Sequence, residues 1–145
     1  MSELQLLPTD PAELMRVVTA AFAVGDMRPL FTAVHKDIVW KAASKHVNLF
    51  RFAGVHERRG GVVGVAGEIA SEYIFQRLEP KEIIAQGDVV WGLFDAEIRF
   101  QPVGNKREYP IVALEIAIRW VVRGGRIHEH QAFMDTAALL KQRGE

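Results

Sequence analysis

The segment 114-LEIAIRWVVRGGRIHEHQAFMDTA-137 decides how the chain is read. Leu114, Ile116, Ile118 and Trp120 alternate with Glu115, Ala117 and Arg119, the period of a half-buried antiparallel strand. Arg123-Gly124-Gly125 makes a turn, and a second strand follows. Asp135, just before Thr136-Ala-Ala-Leu-Leu140, is a natural N-cap for a terminal helix. Strand residues two apart share a face and sit roughly 6.6 Å apart. His128, His130, Ala132 and Met134 are therefore expected on one face, and Ile127, Glu129, Gln131 and Phe133 on the other. The two histidines are either a chemical site or the polar positions of a solvated strand.

Upstream, 88-DVVWGLFDAEIRF-100 reads as another strand, with 101-QPVGNKRE-108 as its turn. Nearer the start, 10-DPAE-13 combines an N-cap Asp, a Pro at the first helical position and a Glu at the third. Leu14, Val17, Val18, Ala21 and Phe22 then give a helix one apolar face. Gly25 ends that helix, and Asp26 starts a shorter one through residues 30–34. Ile38, Val39 and Trp40 predict a short strand. The polar stretch 41–61 is long for a connection, so it holds a short strand near 47–52 or acts as a lid. Helical period returns at Val62, Val65, Ala66, Ile69, Ala70 and Tyr73, with Pro80 as a stop. The glycine-rich 60-GGVVGVAG-67 lacks the phosphate-loop and dinucleotide spacings, so Gly64 and Gly67 read as close-packing helix positions. Residues 1–8 read as a flexible tail and 9–145 as one domain. Helices first and antiparallel strands after predict an α+β domain, a curved sheet folded around a long helix.

Of the 145 residues, 49% are hydrophobic, enough for a core at this length. Eighteen basic and eighteen acidic residues balance, which argues against nucleic-acid or anionic-membrane partners. With no cysteine, disulfides, thiolate catalysis and cysteine-ligated metals are excluded. No apolar run approaches the roughly 20 residues of a membrane span, and the N-terminus lacks a signal-peptide pattern. A cytoplasmic location is expected.

The order and punctuation of the chain resemble a known group. A long helix with Gly-Asp after it leads to a second helix and Asp37-Ile-Val-Trp40. A polar loop ends in Arg-Arg-Gly-Gly, and EPKEIIAQGDVV, RWVVRGGRI and FMDTA follow. Over about residues 12–140 this is similar to the SnoaL-like, ketosteroid-isomerase-related proteins of the nuclear-transport-factor-2-like superfamily. The resemblance implies a cone-shaped, cystatin-like α+β fold. Three helices would pack on a curved, mostly antiparallel sheet enclosing an apolar pocket. It also implies a homodimer through the sheet, no cofactor, and a small hydrophobic molecule as partner. Carried over by position, the isomerase's carboxylate base falls on Ala42 and its oxyanion-hole Tyr on Val18. Its oxyanion-hole Asp falls on Ile116 or Ala117. Steroid isomerisation needs a base and oxyanion donors together, so that mechanism is not expected. The two aspartates of a related epoxide hydrolase fall on Asp95 and Ala132.

The resemblance assigns His128, His130, Ala132 and Met134 to the pocket side, and Trp91, Leu93, Asp95 and Glu97 as well. The opposite face of that second strand, Val90, Gly92, Phe94, Ala96, Ile98 and Phe100, is the more apolar. If both assignments hold, Asp95 and one or two histidines meet in an apolar cavity, His130 first, as a carboxylate-supported general base. The expected substrate-binding residues are Tyr73, Trp40, Trp91, Phe50, Phe52, Ile116 and Met134. Tyr73 is placed on the middle helix, as core or as a hydroxyl donor. Two His and a carboxylate also permit a metal triad, but His-x-His alone is weak, and no metal is expected. Asp37 reads as a cap or turn before its strand, Glu115 and Arg119 as dimer-facing pairs. His46 lies on the loop, and Arg51, Arg58 and Arg59 form a basic cluster near its mouth. Two functions follow. One is a cofactor-free acid–base isomerase, cyclase or dehydratase acting on a hydrophobic cyclic substrate. The other is a non-catalytic ligand-binding or stress-associated module.

Overall fold

The computed structural model describes residues 7–42 and 50–144. Helices α1 (Pro11–Ala23) and α2 (Arg28–Ala33) lead into β1 (Val34–Ala42), then β2 (Gly54–Glu57) and α3 (Arg58–Glu72). Strands β3 (Tyr73–Gln86), β4 (Val89–Phe100), β5 (Ile111–Arg123) and β6 (Arg126–Met134) follow, and α4 (Thr136–Gln142) closes the order. One six-stranded sheet runs β2-β1-β6-β5-β4-β3. Every neighbouring pair is antiparallel except β1 with β6, which is parallel. The fold is thus α+β, with the helices against one face of the sheet.

Local chemistry explains most boundaries. Asp10 accepts a hydrogen bond from the Glu13 amide at 3.0 Å, and Asp135 accepts one from the Ala138 amide at 3.0 Å, so both are helix caps. Gly25 takes a positive φ of 84° directly after α1. The buried face of α1 is Leu14, Met15, Val18 and Thr19, with Val17 exposed, so the helix is turned slightly from the expected stripe.

Four expectations change. Tyr73 begins β3 rather than lying in a helix, because α3 starts four residues earlier, at Arg58, and ends at Glu72. Pro80 does not follow a helix; it sits inside β3, the edge strand, next to a register shift between Pro80 and Glu82. An edge strand with a bulge is where a sheet tolerates a residue without an N–H. Gly64 and Gly67 are not close-packing positions, since a Cβ at either meets nothing within 4 Å. Asp37 lies within β1, exposed, and its amide donates to His35 Nδ1 at 3.1 Å. The expected strand or lid at 47–52 and His46 fall largely or wholly outside the described residues.

The core lies between the helices and the inner face of the sheet. On β4, Val90, Phe94, Ala96, Ile98 and Phe100 are buried there, whereas Trp91 is 44% exposed on the outer face. Gly92 belongs to the inner row. A Cβ added to it would stand 2.6 Å from Phe94 Cε1 and 2.7 Å from Met15 Sδ. The two kinds of glycine should respond oppositely to alanine. Gly92→Ala overpacks a filled core and should cost about 1–3 kcal/mol. Gly64→Ala, on the exposed side of a helix, should stabilise by about 0.5–1 kcal/mol. Urea denaturation of both variants checks this, and destabilisation by Gly64→Ala would contradict it.

Candidate functional site

A cavity of about 100 Å³ lies under the helices. Its floor is the inner face of the sheet. Val18, Thr19 and Phe22 reach it from α1, Leu30 from α2, Ile69 from α3 and Leu139 from α4. Helix α4 is tied down by Gln142, whose side-chain amide donates to the carbonyls of Ile98 (2.7 Å) and Pro110 (2.8 Å).

One row of the sheet organises the floor. Trp40 on β1 is the register partner of His130 on β6, which is the partner of Trp120 on β5. All three side chains are buried, His130 at 6% exposure. The Trp40 and His130 rings stack with centroids 3.4 Å apart and planes 8° from parallel. Trp120 Nε1–H donates to His130 Nδ1 at 2.9 Å. The neighbouring row carries Ala42, Ala132 and Ile118, so two small side chains stand beside Trp40 and His130 and leave the space open.

Burial pushes the His130 pKa down to about 3, so the imidazole is neutral at physiological pH. The other polar side chains in the lining are Thr19, whose hydroxyl donates to the Met15 carbonyl at 2.6 Å, and Tyr73. Among the described residues no carboxylate lines the cavity.

The candidate residues from the sequence separate into two groups. His130, Trp40, Phe52, Tyr73, Ile116 and Met134 all line the cavity. Asp95 does not. It lies on the outer face of β4, its side chain 39% exposed, near Arg77 (4.0 Å) and Lys81 (3.9 Å). Trp91 shares that outer face and stacks on Phe133, ring centroids 6.1 Å apart. The more apolar side of β4 is the one turned inward, against the assignment that the resemblance suggested. The expected His–Asp pair is therefore not assembled. Phe50 is buried beside Phe52, with the Arg143 guanidinium over its ring, and is not part of the lining.

His128 also leaves the expected face. Val121 pairs with Glu129 but Val122 pairs with Ile127, so His128 is an extra residue bulged from the ladder. The bulge puts Ile127 and His130 on the inner face, three residues apart. His128 instead stacks on His35, centroids 4.1 Å apart. Its pKa is lowered by burial first, then by His35 and Arg123. Glu115 and Arg119 are outer-face residues paired with Lys81 (2.7 Å) and Glu129 (3.4 Å). Arg51 pairs with Glu68, and Arg59 donates to the Val34 carbonyl at 2.9 Å, which ties down two of the three loop arginines. Among the described residues no cluster of three metal-binding side chains occurs, and no helix is long and apolar enough to cross a membrane.

Trp120 was the residue that sequence reasoning missed as a site group. Its period-two neighbours marked it as buried, but nothing in the pattern marked its N–H as the partner of a histidine ten residues away.

No protein-family model and no curated protein matches the sequence. Solved structures do. TerC, co-crystallised with polyporic acid, superposes with a TM-score of 0.75 at 19% identity, covering 92% of this chain and 97% of its own. An NTF2-like protein from Burkholderia xenovorans gives 0.73 at 20% identity, covering 94% and 98%. The fold is NTF2-like. A Catenulispora acidiphila protein with a ketosteroid isomerase-like fold, in complex with trimethylamine, gives 0.72 at 15% identity, covering 94% and 95%. Likeness at these identities extends to the NTF2-like fold and not to chemistry. Within that fold, Val18, Ala42 and Ile116, where the isomerase resemblance placed catalytic groups, all line the cavity as apolar side chains.

The neutral state of His130 has a pH consequence. Its folded pKa is depressed below the ordinary 6.5. The stability it contributes is present above pH 6.5 and is lost as pH falls from 6.5 towards 3. The full loss is on the order of 5 kcal/mol. In His130→Gln, where an amide oxygen can still accept from Trp120, that part of the acid sensitivity should vanish. Denaturation midpoints of both proteins between pH 7 and 4 check this; parallel curves would contradict it.

Proposed function

We propose that this chain binds a compact, uncharged, mostly apolar cyclic molecule in the cavity beneath its helices. The observation that supports this is an apolar space of about 100 Å³ containing one neutral imidazole. Apolar cavities of about 150 Å³ take up benzene. The space therefore suits a single ring, with the aromatic side chains of Trp40, Phe52, Trp120 and Phe22 around it. A charged ligand would lose its hydration with no opposite charge in the described lining to offset it. Two proteins of this fold have been crystallised with small organic molecules, polyporic acid and trimethylamine.

Binding is favoured over acid–base turnover by the state of His130. A group whose pKa lies near 3 is a weak proton acceptor at pH 7, and Asp95 is on the other side of the sheet.

Trp40 and Trp120 line the space, so their fluorescence reports on its contents. Cyclohexanone, benzaldehyde and toluene are suitable probes. At least one should change the emission saturably. Ala132→Leu, which fills the row beside the tryptophans, should weaken that probe about tenfold or more while the far-UV circular dichroism stays unchanged. Failure of all three probes, or affinity unchanged in Ala132→Leu, would sink the binding role.

A further inference from the structure

We infer that Trp120 is a positioning residue that fixes which way the buried imidazole of the cavity wall points. It holds His130 in the tautomer protonated on Nε2, so the site favours a neutral ring bearing an acceptor oxygen, such as a cyclic ketone, over a ring that must donate. This rests on the binding role proposed above and gives that role a ligand class.

An indole N–H only donates, and a neutral imidazole has one donor nitrogen and one acceptor nitrogen. Since Trp120 Nε1–H points at His130 Nδ1 across 2.9 Å, Nδ1 is the acceptor and the proton resides on Nε2. The ring cannot readily turn to exchange the two nitrogens. Trp40 lies flat against it at 3.4 Å, and the strand register seats it between two tryptophans. Moving the proton to Nδ1 would set N–H against N–H in a buried place, leaving both donors unmatched. Imidazolium would create the same conflict. Among the described residues Nε2 has no hydrogen-bond partner, and His130 is part of the cavity lining. Of the other donors nearby, the Thr19 hydroxyl is engaged with the Met15 carbonyl, and the Trp40 indole nitrogen, without a hydrogen-bond partner among the described residues, is buried within the wall. The Tyr73 hydroxyl is buried within the wall too.

Nitrogen-15 NMR of the full chain at pH 7 reads the tautomer directly. The expected spectrum shows a protonated Nε2 and an unprotonated Nδ1 for His130. The reverse assignment, or protonation of both, overturns the inference. Ligand polarity is read with cyclohexanone, which only accepts, and pyrrole, which donates. In Trp120→Phe the imidazole is freed to present either nitrogen form, so pyrrole should gain. The affinity ratio of cyclohexanone to pyrrole should fall about fivefold or more relative to wild type, the worth of one ordinary hydrogen bond. A merely structural loss would weaken both probes and leave the ratio unchanged, which overturns the inference while sparing the binding role. Binding of neither probe by the wild type counts against the binding role instead, and the spectrum still decides the tautomer. Should Trp120→Phe fail to fold, the wild-type spectrum carries the test alone.

Discussion

A hydrogen bond between two buried side chains on adjacent strands, Trp120 Nε1–H to His130 Nδ1, fixes the character of this protein's interior. A histidine at 6% exposure would ordinarily be expensive to bury. Here one nitrogen is matched by the indole, and the ring face is covered by Trp40. The three residues form one row across β1, β6 and β5, so strand pairing sets their spacing. A one-residue slip of β6 would send His130 to the outer face and break the arrangement. The bulge at His128 is thus part of the site's construction, since it determines which side of β6 faces inward near the turn.

The remaining architecture follows from giving that row a dry space to face. Ala42 and Ala132 in the next row leave volume that larger side chains would fill. Helices α1, α3 and α4 cover it with aliphatic and aromatic groups, and Gln142 secures α4 by two hydrogen bonds to backbone carbonyls. Where a carboxylate base and oxyanion donors were carried over by position, this chain has Ala42, Val18 and Ile116 or Ala117. The same geometry therefore places a neutral imidazole in the wall in place of an acid–base pair. That is consistent with recognition of an oxygen and with holding a ring in an apolar environment.

Much of this was legible in the chain itself. Alternation identified β4, β5 and β6, and the residues before the helices identified α1 and α4 by their caps. Alternation also placed His130, Ala132 and Met134 together, and they do line the cavity. Strand β3 was hidden because it is an edge strand, exposed over most of its length and interrupted by Pro80, so it shows no period. The face of β4 was legible from composition: the more apolar residues turned inward, while the resemblance to related proteins pointed the other way. The bulge at His128 was not legible, because a bulge changes register without requiring a distinctive residue. Nor was the Trp120–His130 bond, which depends on how two strands align in space.

Neutron diffraction from deuterium-exchanged crystals near neutral pD would test the central claim most directly. The account predicts deuterium on His130 Nε2, facing the cavity, and none on Nδ1, with the Trp120 indole deuterium lying between the two rings. Deuterium on Nδ1, alone or together with Nε2, would contradict it.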